Sequence, residues 1–238
     1  MILGCFKRRH LGSFLGFTVN GPRRESGPST EVAIDRLRKG ARVFAGTLFA
    51  TLLASGCGSG RAAAPEPGAM RGVVPDLRSI RVMVMPLQRR IGIRDELDAE
   101  IAYALKARGA GDNWIMADEL ARTLARSPGL DVPLSALSVG IFLTREVNRI
   151  GDPLYGQLLR AAAVTNARVA LIPVEARRRV EPDGSSVVEV VATLLDVRRG
   201  RVIWFGVVEG QPGMAGDFQV VASAVEALAS TLLWYMDE

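Results

Sequence analysis

Short runs of apolar, mostly β-branched residues between polar turns predict β-strands. The strands are predicted at 79–86, 113–116, 168–178, 186–197 and 201–209. In the first of these stretches valine and methionine alternate, so both faces are apolar, as is typical of a strand with helices on both sides. The turn-forming residues at 181–184 and 199–200 separate the last three strands. This pattern predicts a sheet of about five strands.

A spacing of three or four between apolar positions predicts the helices. Within 94–108, Leu97, Ile101 and Leu105 recur every four residues and form one apolar stripe. Further helices are predicted at 118–126, 153–165 and 217–235, and residues 131–150 lean towards a helix although Gly140 weakens that prediction. The resulting order, β-α-β-α-(α)-α-β-β-β-α, indicates an α/β (α+β) fold with a mixed sheet in a two- or three-layer sandwich.

The residue types restrict the chemistry of this domain. The only histidine of the 238 residues is His10, and the only cysteines are Cys5 and Cys57. Catalysis by Ser-His-Asp or Cys-His groups and zinc or iron–sulfur sites held by Cys or His are therefore excluded from residue 58 onward. We expect no cofactor and no metal centre. Carboxylates remain, and Asp112, Asp118 and Glu119 would be the candidates in a carboxylate-dependent envelope hydrolase, although they show no recognisable spacing.

The net charge of +5 is unevenly distributed along the chain. Residues 1–56 hold nine Lys/Arg and three Asp/Glu, which leaves 21 basic and 22 acidic residues in 57–238. The basic excess therefore belongs to the amino-terminal segment. Since the remainder is nearly neutral and shows no basic face interleaved with aromatic residues, we expect no nucleic-acid partner.

The amino-terminal segment has the parts of an export signal. Four basic residues between 36 and 42 precede an apolar run at 43–54, and small residues follow it. The sequence Leu53-Ala54-Ser55-Gly56-Cys57 resembles the lipobox of bacterial lipoprotein signal peptides, with Ala54 where that class prefers Leu. The resemblance implies cleavage between Gly56 and Cys57, and a diacylglycerol thioether and an amide-linked acyl chain such as palmitate on Cys57. An uncleaved membrane anchor and an ordinary secretory signal remain alternatives.

The predicted export signal divides the chain into three regions. Residues 1–56 are predicted to be the signal region, and a translation start at Val32 would give that signal an ordinary length, with 1–31 outside the protein. Residues 57–77 are rich in Gly, Pro and Ala and predict a lipidated flexible tether. Residues 78–238 are predicted to form one globular periplasmic domain. The absence of Asp at Gly58 implies, by the same resemblance, the periplasmic face of the outer membrane.

Three stretches of the predicted domain resemble a known group of periplasmic domains. They are 81–86, the helix end at Ala167 before the strand 169–172, and 195–204. The group comprises CsgG-like lipoproteins, the amino-terminal domain of the Tol-system propeller protein, and lipoprotein activators of peptidoglycan synthases. The resemblance implies that Asp196 caps a turn, Gly200 supplies a positive φ, and Trp204 packs on the sheet.

These observations predict a lipid-anchored, non-enzymatic envelope protein that binds or helps assemble a periplasmic or outer-membrane complex. Its expected partners are membrane lipid through acylated Cys57 and an envelope protein, and oligomers are possible. An export-pore subunit is the alternative, although the sequence lacks clear insertions for transmembrane hairpins. The predicted partner-binding positions are Arg177, Arg178 and Arg179 and the loop 210–216.

Overall fold

In the part of the chain that the structure describes, seven strands form one mixed sheet, and helices cover both of its faces. The computed structural model describes residues 65–93, 96–127 and 129–236, so the predicted signal region and Cys57 lie outside the described residues. The strands are β1 (Met70–Gly72), β2 (Val82–Val84), β3 (Arg90–Ile91), β4 (Trp114–Ile115), β5 (Val169–Val180), β6 (Ser186–Asp196) and β7 (Arg201–Glu209). The helices are α1 (Leu97–Ala107), α2 (Ala117–Ala125), α3 (Leu154–Thr165) and α4 (Phe218–Leu232). No helix in these ranges is long and apolar enough to cross a membrane.

The sheet combines an antiparallel meander with a parallel part. Its strand order is β1-β7-β6-β5-β2-β4, with β3 also paired to β5. Strands β5, β6, β7 and β1 are successive antiparallel neighbours, whereas β2 and β3 run parallel to β5 and β4 runs parallel to β2. The predicted α+β class and element order are confirmed, and β1 and β3 are added to them.

Alternation along the central strands divides the core into two layers. Val190 and Leu194 of β6 face a core layer built with α1 and α4, and Trp204 lies in the same layer. Val191 and Leu195 face the other layer, which contains residues of α2 and α3. Both faces of β6 are therefore apolar over most of its length, as expected for the middle of a three-layer sandwich.

The turn between β6 and β7 has the geometry implied by the family resemblance. The Asp196 carboxylate accepts a hydrogen bond from the Arg199 amide at 3.1 Å, and Gly200 has a φ of +60°. The Trp204 side chain is only 2% exposed. All three structural predictions for this hairpin are confirmed.

Two predictions for the part of the domain before α3 were wrong in detail. Residues 70–72, which we assigned to the flexible tether, form strand β1 against β7. Within 131–150, which leaned towards a helix, the only helical turn is the 3-10 segment Gly140–Leu143. Further along this stretch Arg149 pairs with Arg201 in an extended bridge. Pairing with the edge of β7 provides the backbone hydrogen bonds in both places.

Candidate functional site

The three arginines predicted to bind a partner lie near the carboxyl end of β5, where they bind other residues of the domain. Arg177 donates from Nε to the Glu189 carboxylate. The Nη2 of Arg179 donates to Glu209 Oε1 at 2.9 Å, and the Nη1 of Arg178 donates to Ser186 Oγ at 3.0 Å. These guanidinium groups therefore belong to a network within the sheet, and they do not form an open basic patch.

Glu189 is the centre of this network. It lies opposite Arg177 on β5 and opposite Glu209 on β7 in the strand register, and its side chain is 1% exposed. Arg179 Nε lies 3.2 Å from its second oxygen. A carboxylate removed from water needs such partners because its desolvation costs several kcal/mol. We call Arg177, Arg179, Glu189 and Glu209 the ion-pair cluster.

The chain enters the domain beside the ion-pair cluster. Arg177 Nη2 donates to the carbonyl oxygen of Pro65 at 3.0 Å, and the Gly68 amide donates to the Val207 carbonyl at 3.1 Å. From there β1 follows β7 towards the opposite end of the sheet. Each end of the sheet is named after the turn that lies there. The contact between Pro65 and Arg177 is at the β5–β6 end, and the opposite end is the β6–β7 end. Attachment from Pro65 onward leaves residues 57–64 for the predicted tether.

The predicted loop at 210–216 is held against α4 and β6. The Gln211 amide donates to Ser223 Oγ at 2.8 Å, and Gly213 exchanges backbone hydrogen bonds with Ser186. A Cβ added to Gly210 would lie 2.6 Å from the Ala224 nitrogen, so the loop packs closely on the helix. Met214, at 78% exposed, is the large apolar side chain that the loop presents to solvent.

The three carboxylates named for a hydrolase do not converge. Asp112 precedes β4, whereas Asp118 and Glu119 follow it in the first turn of α2, and all three are exposed. Asp118 pairs with Arg122 on its own helix at 2.9 Å. Across the described ranges, no group of three or more His, Cys, Asp or Glu residues is placed to hold a metal ion.

A surface that the sequence analysis did not identify lies on the outer side of α1 and α4. Tyr103 is 72% exposed and stands between two grooves. One groove, of about 540 Å³, has Ala99, Ala102 and Ala117 along it. The other, of about 350 Å³, runs between α1 and α4 and ends at Phe218. We call this the Tyr103 face.

The borders of the Tyr103 face are mostly acidic. Its grooves are lined by Glu96, Asp98, Glu100, Asp118 and Glu226, with Lys106 as the basic residue among them. Arg108 donates to Glu226 at 2.8 Å and so joins α1 to α4. The sequence signal for this face was Tyr103 itself, a large aromatic residue off the apolar stripe of its helix.

Comparison with known proteins gives structural matches only. No protein-family model matches the chain, and no curated protein matches it in sequence. The PelC dodecamer from Paraburkholderia phytofirmans is 19% identical, the match covering 70% of this chain and 97% of that chain with a TM-score of 0.41. The LpoB C-terminal domain from Salmonella enterica is 15% identical, the match covering 63% of this chain and 87% of that chain with a TM-score of 0.35. The NMR structure of E. coli LpoB is 14% identical, the match covering 81% of this chain and 91% of that chain with a TM-score of 0.34.

These similarities are weak, since each TM-score is below 0.5. They include LpoB, and none of the three is a CsgG-like or Tol-propeller structure by name. The finer family resemblance of residues 78–238 stays a prediction.

Proposed function

We propose that this protein is a lipid-anchored, non-enzymatic protein of the bacterial cell envelope that binds a protein partner through the Tyr103 face. The observation that carries the proposal is the lipobox-like sequence Leu53-Ala54-Ser55-Gly56-Cys57, placed eight positions before Pro65. In this proposal residues 1–56 are removed, Cys57 becomes the acylated amino terminus, and the domain lies on the periplasmic face of the outer membrane. Several acyl chains give stable anchoring where a single chain is marginal.

The contact at Pro65 limits how far the domain can stand from its anchor. Eight residues of extended chain span at most about 29 Å. Because Pro65 is bound to Arg177, this limit applies to the β5–β6 end of the sheet. Strand β6 has 11 residues, so the sheet extends roughly a further 35 Å from there. The short connection favours an orientation with the β5–β6 end towards the membrane and the other end towards the periplasm.

The chemistry of the Tyr103 face supports a protein partner. Alanines lie along both grooves between the acidic side chains, so a partner can approach the helix backbones there. Tyr103 and Phe218 offer aromatic surface to it. Tyrosine is enriched among the residues that dominate binding energy at protein interfaces. The absence of His and Cys from residue 58 onward favours a binding role over nucleophilic catalysis.

Mass spectrometry of the protein extracted from membranes tests the anchor. We expect a mature amino terminus at Cys57 carrying acyl chains, and we expect a Cys57→Ser variant to accumulate as an unlabelled precursor when cells are fed a palmitate analogue. A mature terminus at another residue, or labelling that persists in the variant, contradicts the anchor.

A photo-crosslinking amino acid placed at Tyr103 tests the partner surface in living cells. We expect one discrete crosslinked product that is absent when the same amino acid replaces Ala125, which is exposed on α2. The same product from both positions, or none from Tyr103, contradicts the proposed face. A ladder of products containing only this chain would favour the export-pore alternative.

A further inference from the structure

Arginines are concentrated at the β6–β7 end of the sheet, far from the ion-pair cluster. Arg81 and Arg168 stand directly before the parallel strands β2 and β5, and the Arg168 amide donates to the Arg81 carbonyl at 2.9 Å. The Arg168 carbonyl in turn accepts from the Val197 amide at 3.0 Å, which brings the β6–β7 turn with Arg198 alongside. Arg201 begins β7 and pairs with Arg149. We call this row the arginine end.

The charges of the arginine end are largely uncompensated. Within the described part of the chain, no ion pair involves Arg81, Arg149, Arg168, Arg198 or Arg201. By contrast, Arg177 and Arg179 at the opposite end are paired with glutamates. A nearly neutral domain therefore carries a local positive field at one end.

A cleft of about 320 Å³ opens among these arginines. Arg168, Arg199 and Arg201 line it together with Asp196, and its apolar lining residues are Pro75, Ile80, Val169, Val202 and Ile203. The Asp196 carboxylate is already engaged, since it accepts from the Arg199 amide at 3.1 Å and lies 3.4 Å from Arg199 Nη1. Arg168 and Arg201 are left to bind an anion, beside an apolar surface.

We propose that this cleft binds an acidic peptide segment of a partner protein. A Glu or Asp carboxylate would be held by Arg168 and Arg201, and an apolar side chain next to it would lie on Ile80 and Ile203. The planar guanidinium fork matches a carboxylate with two parallel hydrogen bonds. The volume is near the lower limit of about 300 Å³ for ligand sites, which suits one or two side chains.

The position of the cleft favours a protein over a lipid headgroup. Phosphate would satisfy the same arginines, but the chain enters the domain at the other end of the sheet, beside Arg177. With the anchor there, the cleft faces away from the membrane surface. This step rests on the proposed lipid anchor, whereas the carboxylate chemistry does not.

Fluorescence anisotropy on the full chain in detergent tests the cleft. The probe is a fluorescein-labelled peptide of alternating Glu and Val, compared with the same peptide carrying Gln in place of Glu. We expect binding of the Glu peptide only, weakened about tenfold or more by Arg168→Gln with Arg201→Gln. The control Arg122→Gln removes an exposed arginine of α2 and should leave the dissociation constant unchanged.

Further measurements separate the alternatives. Circular dichroism shows whether the Arg168→Gln, Arg201→Gln variant folds. If it does not, Arg168→Lys with Arg201→Lys is used instead, because it keeps the positive charge and removes the planar guanidinium groups. We then expect this variant to bind the Glu peptide more weakly than wild type does. Equal binding of both peptides, or binding that neither double variant changes, overturns the proposal. The proposal is also overturned if the protein binds phosphatidylglycerol vesicles but not the peptide, and if Arg168→Gln with Arg201→Gln abolishes that vesicle binding. Acylation of Cys57 is read by mass spectrometry on the same preparation, so a missing anchor and an inactive cleft give different results.

Discussion

The indole of Trp204 lies across the backbone of Gly206 on the same strand. A Cβ added to Gly206 would come within 2.3 Å of Trp204 Cζ2 and 2.9 Å of its Cη2. Trp204 is buried in the layer with α1 and α4, so a shift of its ring would disturb the close packing around it. The glycine thus makes room for the tryptophan that the family resemblance placed on this strand.

We therefore expect Gly206→Ala to destabilise the domain by about 1–3 kcal/mol, the range for overpacking a close-packed core. The free energy of unfolding in urea measures this. Gly151→Ala is the matched control, because a Cβ there would meet nothing within 4 Å. Equal midpoints for the two variants would contradict the close fit of Trp204 on Gly206.

The second prediction concerns the attachment of β1 to β7. A Cβ at Gly72 would lie 2.1 Å from the Ile203 carbonyl oxygen, whereas one at Gly68 would meet nothing within 4 Å. Both glycines have positive φ, +76° and +71°, so an alanine is strained at either position. Because only Gly72→Ala adds a clash to this strain, we expect it to speed hydrogen exchange at the Val207 amide, which donates to Ala69, more than Gly68→Ala does. Equal protection in the two variants would show that β1 does not depend on this approach.

The central meander and the last helix could be predicted because each is long and strongly patterned. Strands β5, β6 and β7 contain 12, 11 and 9 residues, and glycines mark their turns. Strands β1 and β3 contain three and two residues, exposed throughout, which is too short for any alternation to register. Their place is determined by the exposed edges that they cover, and a local pattern does not contain that information.

The candidate surfaces were harder to predict, for a geometric reason. Arg177 to Arg179 are consecutive in sequence and look like one basic patch, but neighbours in a strand point to opposite faces. Arg177 and Arg179 therefore share Glu189, while Arg178 reaches Ser186. The arginine end has the opposite property. Arg81, Arg168 and Arg201 are far apart in sequence, and only the strand order brings them together.

The third prediction is that the ion-pair cluster depends on Glu189. Glu189→Gln leaves Arg177, whose side chain is 21% exposed, without its carboxylate. Breaking a buried pair costs about 3–5 kcal/mol, and because the arginines are partly solvated we expect about 2–3 kcal/mol in urea unfolding. The control Asp118→Asn breaks an exposed pair of α2 and should cost less than about 0.5 kcal/mol. Similar costs for both variants would mean that the cluster is effectively solvated.

The fourth prediction concerns Tyr235, which lies against the core layer of α1 and α4. Burial raises the pKa of its phenol above the usual value, and the negative charge of Asp76 raises it further. The folded state therefore keeps this proton to higher pH than the unfolded chain does. The stability contributed by the protonated phenol is complete below about pH 10 and is lost as the pH rises through the folded-state pKa.

We expect the free energy of unfolding between about pH 9 and pH 11 to fall more steeply for wild type than for Tyr235→Phe. Parallel slopes for wild type and Tyr235→Phe would contradict the raised pKa.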